Sequence, residues 1–181
     1  MNISIETPRL LIRELELKDA PGMFEMDSNP LVQKYLGMKP VKCIDESIEN
    51  IRFIRQQYTD YGIGRWAVIE KETNQFIGWS GFKWITDLTN GHSNYPDLGY
   101  RFLERAWGKG YASEAAFAAL DYGFNVLSYP EIFGIADVEN LSSIHILEKV
   151  GLRKLCIFDY NGRPHHWLKV ENKLVNSDYK F

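Results

Sequence analysis

The residues best placed to do chemistry lie between Leu98 and Glu114, in the run LGYRFLERAWGKGYASE. A strand pattern there enters a tight turn holding Gly108 and Gly110, and a helical pattern opens at once. Unpaired backbone N–H groups and the positive end of a helix dipole converge on such a turn, which suits it to a phosphate group. Glycine serves because a ligand oxygen reaches the backbone without meeting a Cβ, and because the turn dihedrals can be left-handed. Three cations, Arg101, Arg105 and Lys109, accompany one acid, Glu104, between Leu98 and Ser113. An ordinary strand–turn–helix link with packing glycines has the same spacing.

Other phosphate fingerprints are missing. No G-x-x-x-x-G-K-S/T occurs, and the match Gly62-Ile63-Gly64-Arg65-Trp66-Ala67 precedes a strand, where a dinucleotide site must follow one and open a helix. It reads as a turn. Asn140 and Ser143 are three residues apart, so one helical turn presents both, although Asn140 is also a good N-cap and serine is common in first turns. Cys43 and Cys156 lack the neighbouring His and Asn that a nucleophilic cysteine needs. His165 and His166 alternate faces of a final strand, and a satisfied structural histidine is the expectation there.

These groups must be positioned by elements legible in the apolar spacing. The pattern predicts a first strand over Arg9–Arg13, helices over Lys18–Ser28 and Asp45–Tyr61, and a meander of Trp66–Glu70, Phe76–Phe82 and Leu98–Leu103. A long helix follows over Gly110–Leu127, stopped before Pro130, with Ala112, Ala115, Ala116, Ala119 and Gly123 on one stripe and Phe117, Leu120, Phe124 and Leu127 on another. Two apolar stripes predict cover on more than one side. Strand Ile132–Val138, helix Asn140–Val150 closed by Gly151, and a hairpin turning at Asn161-Gly162 complete the chain. The order gives a mixed α/β (α+β) fold, with four helices on a largely antiparallel sheet of six to seven strands.

With these motifs in place the chain resembles the GCN5-related N-acetyltransferases, most of all the branch that acetylates ribosomal-protein N-terminal alanines. Arg105-Ala106-Trp107-Gly108-Lys109-Gly110 fits the family's Q/R-x-x-G-x-G/A pyrophosphate loop and continues as Tyr111-Ala112-Ser113-Glu114-Ala115. Asn140-Leu141-Ser142-Ser143 with Leu147-Glu148-Lys149-Val150-Gly151-Leu152 resembles the N-x-x-S…EK-x-G-F segment, and Glu6-Thr7-Pro8-Arg9-Leu10-Leu11-Ile12-Arg13 resembles the branch's first strand.

The resemblance implies acetyl-CoA as co-substrate, bound where the fourth and fifth strands splay apart, with no metal. It places pantetheine at the edge near Phe102 and Leu103, and the pyrophosphate on the backbone from Arg105 through Trp107, Gly108, Lys109 and Gly110 into Tyr111 and Ala112. Asn140 would contact the pantetheine arm, and Ser143 would hydrogen-bond the sulfur. A strand-four backbone N–H near Phe102 would hold the oxyanion. Asp97 stands where some relatives hold a glutamate base, but an aspartate of pKa ~3.9 is a weak base unless desolvation raises it, directly or through a water relay. It could instead close the turn after Pro96. Leu147 stands where many relatives place a tyrosine acid and has no proton to give. Either Ser143 serves, or the thiolate leaves with little help.

On the acceptor side, five acids (Glu14, Glu16, Asp19, Glu25, Asp27) against Lys18 predict an acidic rim suited to a cationic amine, or else a solvated helix face. Trp79, Trp84 and Tyr35 are candidates to line the pocket, although aromatics in strands more often belong to the core. The implied activity is acetyl transfer to a primary amine in a ternary complex; a non-catalytic acyl-CoA-binding domain is the rival. The wider composition agrees: 181 residues with 21 Lys and Arg against 24 Asp and Glu, net −3, predict one domain over 1–181 that binds neither nucleic acid nor membrane. Two cysteines, Glu6 and Arg9 near the start, and no 18-residue apolar run predict a cytoplasmic protein, as monomer or homodimer.

Overall fold

The computed structural model describes residues 3–172. One eight-stranded sheet forms its frame, in the order β1-β2-β3-β4-β5-β6-β8-β7. The strands are β1 Ser4–Glu6, β2 Leu10–Arg13, β3 Arg65–Glu70, β4 Gln75–Ile85, β5 Tyr95–Phe102, β6 Glu131–Asp137, β7 Arg153–Tyr160 and β8 Arg163–Glu171. Five α-helices accompany them: α1 Ala20–Ser28, α2 Pro30–Gln33, α3 Ile44–Tyr61, α4 Tyr111–Asn125 and α5 Leu141–Lys149. The expected six to seven strands and four helices are therefore each too few. The additional elements, β1 and α2, have three and four residues, too short for a hydrophobic period to show. β1 survives by pairing Ile5 with Ile12 of β2, and α2 is capped by the Asn29 side chain, which accepts from Leu31 N–H.

Alternation along the strands builds a core on each face of the sheet. Trp66 and Val68 of β3 pack with Leu10, Ile12, Phe82 and Leu98 beneath Ala115, Ala116, Ala119 and Leu120 of α4. Ala67 and Ile69 turn the other way, toward Met23 and Met26 of α1 and Ile51 of α3. The alanine stripe of α4 thus lies against the sheet. Its second stripe is only partly covered, since Phe117 is 60% exposed. A third cluster, Tyr95, Phe133 and Trp167, fills the face over β6 and β8. His165 belongs to that neighbourhood, buried against the Phe158 and Tyr160 rings as a structural residue.

Every neighbouring pair in the sheet is antiparallel except β5 and β6, which run parallel and share one register pair, Asp97↔Phe133. Past Asp97 the two strands have no further pairing, so a gap opens toward the C-terminal end of β5. Among the described residues no helix is long and apolar enough to cross a membrane.

Candidate active site

The chain leaves β5 at Phe102, makes a single 3-10 turn over Glu104–Ala106, and enters α4 through Trp107–Gly110. Gly108 and Gly110 have φ of +73° and +80°, left-handed dihedrals that disfavour any residue with a Cβ. Gly110 is the N-cap of α4 and provides no side-chain cap. The amides of the first turn are therefore left for a ligand, and space beside Gly108 is open to at least 4 Å. This is a cradle that fits a pyrophosphate.

The N-terminal strap holds the cradle from behind. Glu114 accepts from Thr7 Oγ1 at 2.6 Å, from the Arg9 backbone N–H at 3.1 Å and from Arg9 Nε at 2.7 Å. Burial would raise the Glu114 pKa, but those hydrogen bonds outweigh it and hold the group below its ordinary value. Arg9 Nη1 also donates to the Lys109 carbonyl at 2.9 Å, and its guanidinium lies 4.6 Å over the Tyr111 ring. Two segments recognised separately in the sequence, Thr7-Pro8-Arg9 and Ser113-Glu114, are thus one device.

The side chains of the predicted cofactor residues divide. Arg105 pairs with Glu25 at 3.2 Å, and Tyr111 donates to Glu70 at 2.5 Å, so neither side chain turns toward the cradle. Lys109 forms no ion pair among the described residues. Ala112 lies in the uncapped first turn. Leu103 donates its N–H to Ile77 O and is buried in the core beneath α1, which removes it from the gap. By strand alternation the Phe102 N–H and carbonyl then point away from β4 toward the gap. Trp107 Nε1 already donates to that carbonyl at 2.9 Å, leaving a second lone pair.

Across the gap, the Asn140 side chain accepts from Ser143 N–H at 3.2 Å, an N-cap that opens α5. Tyr100 of β5 spans the opening: its hydroxyl donates to Ser143 O at 2.8 Å and lies 3.3 Å from Ser143 Oγ. Burial raises the Tyr100 pKa, so its proton stays in place. Sequence reading missed Tyr100, because a strand tyrosine looks like any core aromatic. Leu147 is 1% exposed and belongs to the core.

The opposite face of β5 carries the second half of the site. Asp97 is not a turn residue; it sits inside β5, cross-strand from Lys83, with Arg65 Nη2 at 3.4 Å from Oδ2 and with Oδ1 buried and unpartnered. Burial raises its pKa to about 6, against the opposing pull of Arg65. That brings it into the range a general base needs. Arg65 reaches it across Gly99, where a Cβ would stand 2.9 Å from Nη2. Beside them opens a pocket of about 240 Å³ whose lining includes Asp27, Gln57, Arg65, Trp79, Lys83 and Arg101. Trp79 lines it as expected. Trp84 instead packs on Tyr129 in the α4 core, and Tyr35 lies outside, beneath Lys34.

The expected acidic rim is largely cancelled on folding, with Glu14 in no ion pair among the described residues. Asp19 binds Arg13 at 2.8 Å, Glu16 binds Lys18 at 2.7 Å, Glu25 binds Arg105, and Asp27 binds Arg101 at 2.6 Å. The cationic excess near the glycine turn shrinks for the same reason, since Arg101 projects into the acceptor-side pocket. Anion attraction at the cradle rests on backbone N–H groups, the α4 dipole and Lys109. Cys43 and Cys156 are both exposed and free, and the described residues hold no cluster of three metal-ligating side chains.

A left-handed glycine turn at a helix N-terminus is set beside two strands that part after one pair, with a separate pocket on the opposite face of β5. The sequence profile of the Acetyltransferase (GNAT) domain matches residues 9–153, and the chain belongs to that family, whose co-substrate is acetyl-CoA. It is 34% identical over 173 residues to the uncharacterized N-acetyltransferase p20 of Bacillus licheniformis, covering 96% of this chain and 92% of that one. An acetyltransferase of the GNAT family from Bacillus anthracis superposes with a TM-score of 0.78 at 26% identity, over 94% of this chain and 99% of that one. Vibrio cholerae spermidine N-acetyltransferase, solved with CoA and spermine, shares the fold with a TM-score of 0.72 at 21% identity, over 92% and 97%.

Proposed function

We propose that this protein transfers the acetyl group of acetyl-CoA to a primary amine, on a protein N-terminus or a small molecule, by direct attack within a ternary complex. The observation carrying this reading is the uncapped glycine cradle at α4, which lies at the end of the gap between β5 and β6. The loop amides from Arg105 to Ala112 would seat the pyrophosphate, and Phe102 and Asn140 would contact the pantetheine arm. The acetyl thioester supplies the electrophilic carbonyl. The Phe102 N–H would stabilise the oxyanion. Asp97, ionised above about pH 6, would take the amine proton, through a water where the amine does not reach its buried oxygen. Ser143 would donate a hydrogen bond to the departing thiolate, which takes its proton from solvent, and Tyr100 would be a positioning residue that fixes Ser143.

An acceptor of the ribosomal-protein type lies within this class, as does a polyamine; relatives of both kinds share the fold, so the acceptor is read from the pocket. The exposed free thiols fit a reducing, cytoplasmic setting, and residues 1–181 would act as one domain, as monomer or homodimer. The test is release of free CoA from acetyl-CoA across a panel of peptides, amino acids, polyamines and amino sugars. Acceptor-dependent thiol, slowed about tenfold or more in Ser143→Ala, is the expected result. Tight CoA binding with no acceptor-dependent thiol would replace this reading with a non-catalytic acyl-CoA-binding domain.

A further inference from the structure

The acceptor-side pocket has an unusual wall. Strand register places Arg101 opposite Trp79, Lys83 opposite Asp97 and Arg65 opposite Gly81, all on the face beneath α1 and α3. The two guanidinium groups lie 4.5 Å and 5.2 Å from the Trp79 ring centroid, a stacking that fixes their orientation. They are close enough for the Arg101 charge to push the Arg65 pKa down, adding to the larger effect of burial and opposed by Asp97. Each uses one terminal nitrogen on an internal carboxylate, Arg65 on Asp97 and Arg101 on Asp27. The Nε–H of each is buried with no hydrogen-bond partner.

Buried donors left unmade are costly, and two like charges held side by side cost more. An oxyanion entering the pocket offsets the crowded positive charge and offers the guanidinium groups an acceptor. Lys83 adds a third cation to the lining, where Asp27 is the acid. A protonated polyamine would bring further positive charge to this wall and offer its guanidinium groups no acceptor.

Resting on the acetyltransferase reading above, we propose that the acceptor carries a carboxylate on the same molecule as its amine. The carboxylate docks on Arg65 and Arg101 over Trp79, so the substrate class is amino acids or short amino-carboxylates and not polyamines. Planar guanidinium groups suit a planar carboxylate, whose two oxygens can each accept from one of them.

The test pairs amines with and without the carboxylate: phenylalanine with phenethylamine, lysine with cadaverine, and spermidine alone. Thiol release is expected at least tenfold higher in kcat/KM for the acid of whichever pair is used, with the difference carried mainly by KM. Arg101→Gln combined with Asp27→Asn, which leaves no carboxylate unpaired, should abolish that ratio while the acetyl-CoA KM stays unchanged. Turnover of spermidine or the decarboxylated amines equal to that of the acids overturns this inference and leaves acetyl transfer intact. Calorimetric titration of the N-acetyl amino acids and their amides, with CoA present, is independent of turnover. Binding of the acid but not the amide, lost in the double variant, supports the carboxylate site even if no amine is acetylated, in which case only the transferase reading falls. Equal binding of acid and amide, or none, overturns the inference.

Discussion

Gly108→Ala compared with Gly62→Ala separates what the glycine turn does for the backbone from what it does for a ligand. Both glycines are left-handed, at +73° and +69°, and neither would bring a Cβ within 4 Å of another atom. Gly62 is the C-cap of α3, whereas Gly108 lies in the cradle before α4. The conformational penalty of alanine should therefore be equal, about 1–2 kcal/mol. For a chain of this size that lowers Tm by roughly 2–8 °C in both variants. On the proposed pyrophosphate seat, only Gly108→Ala would place a methyl group between the loop amides and a phosphate oxygen. Losing one charge-assisted hydrogen bond there, worth ~1.5–3 kcal/mol, corresponds to about a 10- to 100-fold rise in the CoA dissociation constant. Thermal melts and CoA titrations of the two variants measure the terms separately. Equal melting losses with unchanged CoA affinity in Gly108→Ala would refute the cradle as the pyrophosphate seat.

Three further outcomes are expected. Asp97→Asn should lower kcat/KM by about 100-fold and remove the rise in rate through about pH 6 that is expected of the wild type. Folding raises this carboxylate from 3.8 to about 6, so its stabilising contribution is complete below pH 3.8 and lost as pH climbs through 6; the variant should lose that part of the Tm difference between pH 4 and 7. Glu114→Ala releases Thr7 and Arg9 from the loop, and melting should report a loss of about 1–2 kcal/mol, moderated because the Arg9 side chain is 47% exposed, together with a higher acetyl-CoA KM. Tyr58→Phe removes the hydroxyl that accepts from Leu15 N–H at 3.1 Å and donates to Arg65 O at 2.5 Å. Two buried backbone groups are then unpaired, for a loss of about 2–3 kcal/mol in denaturant unfolding.

Strand, helix and turn types were legible because their causes are local. The Asn161-Gly162 hairpin forms where both residues adopt φ of +54° and +80°, and the helix after Gly110 starts where the glycine pattern places it. Boundaries were less exact: β4 extends to Ile85, and the predicted helix from Lys18 begins as a 3-10 turn at Leu17–Asp19 before Pro21 enters α1. Phe117 shows the limit of a stripe argument, since helical spacing says which residues share a face but not whether anything covers that face.

What the sequence determined by itself was the glycine turn and helix start proposed as the donor half of the site. A glycine turn between a strand and a helix exposes its amides through backbone geometry that eight or ten contiguous residues set. The acceptor half came only with the tertiary structure. Counting charges along Glu14–Ser28 gave an acidic rim, yet Asp19, Glu25 and Asp27 meet Arg13, Arg105 and Arg101, the last two from a strand and loop more than 70 residues away. Which charges cancel depends on which face of a strand each occupies and what packs there. That alternation turned Arg101 toward Trp79 and Tyr100 toward Ser143, from adjacent positions in the chain.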